Sequence, residues 1–420
     1  MGNAEHRDPP NQKPRQTYMA EQFLHGVQVV DIDSGSRTIS VAASSVIGIV
    51  GTAPLADPDK FPLNQPVLVT SPTEAAALAV GEGEGKGTLP EALDSIFDQA
   101  KCAVVVIRVD GTGTDAQAIA NVIGCVNAQT GAYEGVHALL SAKSVVDAKP
   151  RILLAPGFTH QRPEDPDNPG TYLANPVVAE LIGIADRLRA VIIKDGPSTN
   201  DDAAKASASD TGSKRVYVVD PRVKKVDDEG NIINAYASAA VAGAIARNDN
   251  ERGWWASPSN LELYGIIGTE RAIDFGLSDP TSRANLLNFA NVATIVREDG
   301  FRLWGNRTTA SDQKWQFLCV VRTADIIADS LESAHLWAVD RGINKTYVDD
   351  VREGVSAFLR DLKTQGAILG GDCWIDQELN SASNIAQGKF YWDFDFTATY
   401  PAENITFRAH MVDDYISEIF

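Results

Sequence analysis

Basic residues are scarce in this chain, and cysteine, histidine and long apolar runs are scarcer still. Lys and Arg number 37 against 56 Asp and Glu, a formal net charge of −19. A surface of that sign repels phosphate backbones, and the densest basic stretch is only "VKK" at Val223 to Lys225, so nucleic-acid binding is disfavoured. The acidity reads instead as a solvated exterior. Cys102, Cys125, Cys319 and Cys373 lie far apart with no C-x-x-C pair. That argues against a disulfide framework or a thiolate zinc site and suits synthesis in a reducing cytoplasm. No apolar run nears the roughly 20 residues that a membrane-spanning helix needs; "VIGIV" at Val46 to Val50 reads as a buried strand. The polar, Pro-rich opening "MGNAEHRDPPNQKPRQ" does not read as a secretory leader, and His6 stands where a myristoylation signal needs Ser or Thr.

What is present is an ordinary globular composition, 44% apolar and 22% charged. At 420 residues the chain exceeds a single ordinary core, which predicts two or more domains. Residues 1 to 22 read as a flexible arm, followed by the extended segment "HGVQVVDID" and the turn "SGS". Strand and helix signals then alternate. "PVLV" precedes a helix at "SPTEAAALAV", where Ser71 can cap and Pro72 takes the first turn. "AVVVIRV", "RILLAPGF", "AVIIKD" and "RVYVVD" are apolar strands between amphipathic helices, among them "NPVVAELIGIADRL" capped by Asn175. That order predicts a mainly parallel α/β sheet, with "VKKVDDEGNIIN" as a protruding hairpin.

Near Asp279 the texture turns to α+β. Two long helices follow, "TADIIADSLESAHLWAVDR" and "YVDDVREGVSAFLRDLKTQG", then the antiparallel strands "GDCWID", "KFYWDFDFTAT" and "NITFRAHMV". In the second helix Val348, Val351, Val355, Phe358, Leu359 and Leu362 form one stripe, and Gly366 sits where a terminating glycine belongs.

Motifs for chemistry fail on detail. "GEGEGKGT" at Gly81 to Thr88 lacks the hydroxyl after Lys86 and carries two acids, so it reads as a loop rather than a phosphate cradle. Gly111-x-Gly113-x-x-Ala116 after a strand suits a dinucleotide turn, with Glu134 at the distance of a ribose-binding acid. Glu134, however, precedes a helix instead of ending a second strand. A nucleotide-binding enzyme built on that turn stands as the rival functional class. His6, His25, His137, His160, His335 and His410 show no metal-binding spacing, and no G-x-S-x-G elbow occurs. Asp393 and Asp395 in "YWDFDF" read as the polar face of a strand. No catalytic, cofactor or metal set emerges.

The chain end poses the sharper question. In "ENITFRAHMVDDYISEIF", Ile405, Phe407, Ala409 and Met411 alternate with polar residues, the period of a half-buried strand. After Asp413 and Asp414 comes a second apolar cluster, Tyr415, Ile416, Ile419 and Phe420. Terminal residues written for burial need something to be buried against.

"GVQVVDIDSGSRTIS", "FPLNQPVLVTS", "RILLAPGF", "LWGNRT", "AHLWAVDRGI" and "ITFRAHMVDDYI" together resemble the sheath protein of contractile phage tails and of R-type bacteriocins, in order from Leu24 to Phe420. The resemblance implies an outer α/β domain, 46–278, inserted into an inner α+β domain. The inner domain combines the strand linker 23–45 with 279–411, and arms 1–22 and 412–420 extend from it. It implies that Val27, Val29 and Ile32 at one end, and Tyr415, Ile416, Ile419 and Phe420 at the other, exchange strands with neighbouring subunits, with Gly35 and Pro401 as hinges. It implies a non-enzymatic helical polymer around a tail tube, contracting to drive that tube through a host envelope. Baseplate and tail terminator proteins would be its further partners, with no nucleic acid, membrane insertion or cofactor. It also implies assembly in the host cytoplasm into a virion tail, or into the sheath of a non-phage injection device. Tube contact falls to the second long helix, whose exposed side offers Asp349, Arg352, Arg360 and Lys363.

Overall fold

The structure is a computed structural model that describes residues 39–81, 85–227, 229–413 and 415. Its strands are β1 Ile47–Thr52, β2 Pro66–Val69, β3 Val104–Val109, β4 Ile152–Leu154, β5 Val191–Asp195, β6 Val216–Val219, β7 Val223–Val226, β8 Ile232–Ala235, β9 Gly268–Thr269, β10 Val292–Arg297, β11 Phe301–Trp304, β12 Ile368–Ile375 and β13 Trp392–Ala398. The α-helices are α1 Pro72–Ala75, α2 Leu89–Phe97, α3 Asp115–Ile123, α4 Ala142–Val146, α5 Pro176–Leu188, α6 Asp201–Ser209, α7 Ala237–Glu251, α8 Arg283–Phe289, α9 Leu318–Ala334, α10 Lys345–Gln365 and α11 Ala382–Ala386.

Eight strands form one sheet in the order β11-β10-β6-β5-β4-β1-β3-β2, parallel from β10 to β3 and antiparallel at both edges. The uniformly apolar strands explain the burial: alternate residues feed opposite layers. Ile47, Ile49, Val104 and Val106 pack under α2 and α7, while Val50, Val105 and Ile107 pack under α3 and α5. The local signals act as expected, since the Ser71 and Asn175 side chains accept from Glu74 N and Val178 N at the first turns of α1 and α5. The hairpin expected at Val223 is β7–β8, joined by β9.

The sheet runs past the division expected between 278 and 279. β10 adds parallel to β6, pairing Val292 with Val218, and β11 folds back on it. Val292–Val296 is buried along its whole length, and only a sheet covered on both faces can bury such a strand. The chain leaves this sheet after Trp304.

A smaller layer follows. α10 turns Val351, Val355, Phe358, Leu359 and Leu362 onto β12, α9 and Trp254. Each such side chain contributes roughly 1.5–3 kcal/mol on burial, enough to seat an isolated two-stranded sheet, β12–β13, on the helix. Gly366 ends α10 with φ +82°. Among the described residues no helix is long and apolar enough to cross a membrane.

Candidate assembly interface

The segment after β13 is tied down and then released. Thr399 N donates to Ala367 O at 3.3 Å and its hydroxyl to Gly366 O at 2.7 Å. Tyr400 meets Phe317 edge-on at 6.3 Å. Arg307 then holds Glu403 through two parallel bonds of 2.7 and 2.5 Å, and that carboxylate raises the guanidinium pKa. Pro401, expected as a hinge, lies half-buried between these ties.

Beyond Glu403 the expected strand "NITFRAHMV" is not formed. Residues 404–413 take no regular structure and every one is exposed. Phe407 and Met411 are 92% and 99% accessible, far beyond an ordinary surface hydrophobe. The alternation is genuine, but a strand needs a ladder partner, and no described residue supplies one. Tyr415 is 70% accessible. Ile416, Ile419 and Phe420, like Val27, Val29, Ile32 and Gly35, lie outside the described residues.

The two strands nearest this segment in sequence form a sheet of their own. Among the described residues β12 and β13 pair only with each other, from Ile368 opposite Ala398 to Ile375 opposite Trp392. Two strands alone are marginal in water. Leu369, Trp374 and Phe394 stand exposed on them. Gly371 lets the strands approach: a Cβ there would sit 2.6 Å from Asp395 O. Asp393 and Asp395 lie on β13 as expected, opposite Trp374 and Asp372.

The entering chain is rooted nearby. Ile39 joins the cluster under α10, Ala42 N donates to Ser330 Oγ at 3.0 Å, and Arg322 donates to Ser44 O at 3.1 Å. Both of the latter partners are on α9. Phe317, whose ring meets Tyr400, caps the start of the same helix. Incoming and outgoing segments thus rest on one element.

Buried charge pairs rivet that element to α7 and to the large sheet. Arg322 clasps Asp249 at 2.7 and 2.5 Å, both side chains buried. Asp325 takes Arg215. Asp329 takes Arg151, Lys149 at 3.0 Å and Arg189 at 2.7 Å. The cations precede β4, β5 and β6, so α9 lies across the N-terminal edge of the parallel strands. Burial raises the Asp325 pKa and brings Lys149 down to about 8. The spacing 322, 325, 329 was the available signal, one helix face of charge within an apolar segment.

On α10 the four expected tube-contact residues divide. Arg360 and Lys363 are exposed, whereas Asp349 and Arg352 are half-buried and pair at 3.4 Å. The rival dinucleotide turn is closed: Thr114 and Gln117 form a reciprocal cap on α3, and Glu134 accepts from Asn127 at 2.9 Å. Among the described residues no cluster of His, Cys, Asp and Glu could hold a metal.

A central parallel sheet, a helix-backed two-stranded sheet and an exposed apolar segment at 405–411 are the parts of the described chain. Comparison with known proteins gives its family. Residues 44–109 match the tail sheath protein Gp18 domain III N-terminal region, 131–309 the phage tail sheath protein central domain, and 310–411 the phage tail sheath C-terminal domain. The chain is 46% identical to a prophage major tail sheath protein of Pseudomonas aeruginosa (strain UCBPP-PA14), over 94% of its own length and 98% of that protein's. It is 37% identical to the tail sheath protein of Escherichia phage P2, again over 94% and 98%. The fold matches the helical sheath of the anti-feeding prophage in its contracted state at a TM-score of 0.67 and 19% identity, over 93% and 100% of the two chains. This chain belongs to the phage tail sheath family, and it is a structural protein of a contractile tail.

Proposed function

We propose that this protein polymerises as stacked six-membered rings around a tail tube, its terminal arms completing β-sheets of adjoining subunits. The observation that carries the reading is the exposed, alternating Ile405–Met411 segment in a chain whose two-stranded sheet has no further strand among the described residues. A neighbour supplying the edge converts an aggregation liability into an affinity device, because main-chain bonds give strength and alternating side chains give register. Contacts that repeat head to tail without closing give a helical polymer. Val27, Val29 and Ile32 would serve at the other end, and Gly35 and Pro401 would let the arms swing while the body moves as a unit. Rooting both arms on the charge-riveted α9 supports that division of labour. Arg360 and Lys363 of α10 are the residues best exposed to meet the tube. Contraction then proceeds by rigid-body rearrangement from a state held by a barrier, primed at a baseplate and completed without nucleotide. The phage and prophage relatives support a virion tail over other injection devices.

A chain ending at Glu403 tests this. It is expected to stay folded and soluble, with wild-type thermal unfolding, and to form no tubes by negative-stain microscopy. A truncated chain that unfolds, or one that still forms tubes, overturns the reading.

A further inference from the structure

We propose that a depression at the N-terminal end of α10 is the receptor for residues 412–420 of a second copy of this chain. The inference rests on the strand-exchange reading and adds where the exchanged arm ends and which way it runs.

The depression has a volume of about 730 Å³ and is lined by Trp337, Arg341, Lys345, Tyr347 and Asp350 among others. Leu336 and Val339 beside it are 78% and 63% accessible, so apolar surface continues past its rim. Its aromatic wall leads directly to the open sheet: Trp337 meets Tyr347 at 6.2 Å, and Tyr347 meets Trp392, the first residue of β13, at 5.8 Å. The Arg341 guanidinium lies over the Trp337 ring at 5.4 Å. Arg341 and Lys345 are both exposed, and neither enters an ion pair among the described residues. Arg341 Nε donates to Trp337 O at 3.0 Å and Asp350 adds one carboxylate, so the lining keeps a net positive charge beside two aromatic rings and suits a ligand that is acidic and apolar at once.

The chain's own end has that composition. Residues 412–420 carry Asp413, Asp414 and Glu418 with no Lys or Arg. Tyr415, Ile416, Ile419 and Phe420 fall at i, i+1, i+4 and i+5, the spacing that one helix face presents. An amphipathic turn laid in a groove with charge at its rim is an established recognition mode.

Direction follows from the sheet. Ile405–Met411 equals β13 in length, seven residues spanning about 23 Å at ~3.3 Å each. Run antiparallel to β13, such a strand ends beside Trp392 and delivers the tail to Tyr347. Run the other way, it ends at Gly366 and Ala367, where Thr399 of the host subunit already takes both carbonyls. Beside β13, the first direction is the one that brings the tail to the depression. The host's own tail leaves from that Gly366 end, the length of α10 away, about 31 Å at ~1.5 Å per residue.

The test uses assembled full-length protein carrying Phe420→p-benzoylphenylalanine, mixed from ¹⁴N and ¹⁵N copies, irradiated and mapped by mass spectrometry. Mixed-isotope cross-links onto residues 336–350 are the expected result. Cross-links between copies that map elsewhere overturn the receptor assignment and leave strand exchange standing. Cross-links confined to single copies overturn both. In a second arm, Arg341→Glu with Lys345→Glu is expected to cut the yield at this site about tenfold, a loss of one decade in affinity. Adding Asp413→Lys, Asp414→Lys and Glu418→Lys is expected to restore it. A yield indifferent to the charge reversal counts against the proposal.

Discussion

β1 and the 405–411 segment are both apolar enough to be strands, and their fates are opposite. Ile47–Thr52 is buried throughout, flanked by β3 and β4 and covered on both faces. Ile405–Met411 is exposed throughout and pairs with no described residue. The contrast separates two requirements that usually coincide. Apolar pattern says that a face wants burial, but a strand forms only where an edge is on offer. β1 finds its edges within the chain. The 405–411 segment has the pattern and finds no edge among the described residues, as the proposed strand exchange requires.

The comparison breaks most visibly under a buried charge. Val106→Asp in β3 places an unpaired carboxylate in the core layer under α2 and α7 and is expected to cost several kcal/mol, at least about 4, enough to abolish cooperative unfolding by circular dichroism. Phe407→Asp, the same chemistry on the exposed segment, is expected to leave monomer stability within about 0.5 kcal/mol and to remove tubes. Equal damage from the two would dissolve the distinction.

Next in size is the rivet between the sheet and α9. Asp329→Asn leaves Lys149, Arg151 and Arg189 crowded without their anion and is expected to cost about 3–5 kcal/mol in urea unfolding. A loss under 1 kcal/mol would mean that apolar packing alone holds α9.

A subtler probe sits inside the large sheet. Lys194 is buried on β5, donates to Ser207 O at 2.6 Å and Ser207 Oγ at 2.7 Å, and burial brings its pKa down to about 8. Between about pH 8 and the ordinary lysine value the unfolded chain binds more protons than the folded one. The Lys194 contribution to stability therefore rises with pH across that window and is lost as pH falls through about 8. Thermal midpoints of wild type minus Lys194→Met are expected to climb from pH 8 to 10; a flat difference would show that the ammonium is fully compensated. The smallest effect belongs to the arm's root. The Arg307–Glu403 pair is partly exposed, so Glu403→Gln is expected to cost no more than about 1 kcal/mol of monomer stability while loosening the exit angle. Tubes of altered length or regularity would register it.

The alternation of apolar strands with capped helices was legible because each signal is local. Ser71, Asn175 and Gly366 work at the positions their spacing indicated. The apolar stripe of α10 was equally plain. The expected division near Asp279 was drawn from texture alone, and the pairing of β10 with β6 across it is not a local signal. For the interface, sequence singled out the C-terminal residues and Pro401 but treated "NITFRAHMV" as a formed strand. The spacing of Arg322, Asp325 and Asp329 put charge on one face of α9 without naming its partners, and nothing marked the Trp337–Tyr347 depression, because each gathers residues from separate elements.

By itself, the sequence determined what each segment requires: which stretches are helix, which demand burial, and that 405–411 alternates apolar and polar residues at strand period. Those requirements reside in period and spacing along a few turns of chain. Only the tertiary structure decided who satisfies whom: that β6 accepts β10, that α9 binds the strand edge through Asp325 and Asp329, and that no described residue pairs with 405–411. Pairing depends on which edges remain free after the core has packed, and that is a property of the folded whole.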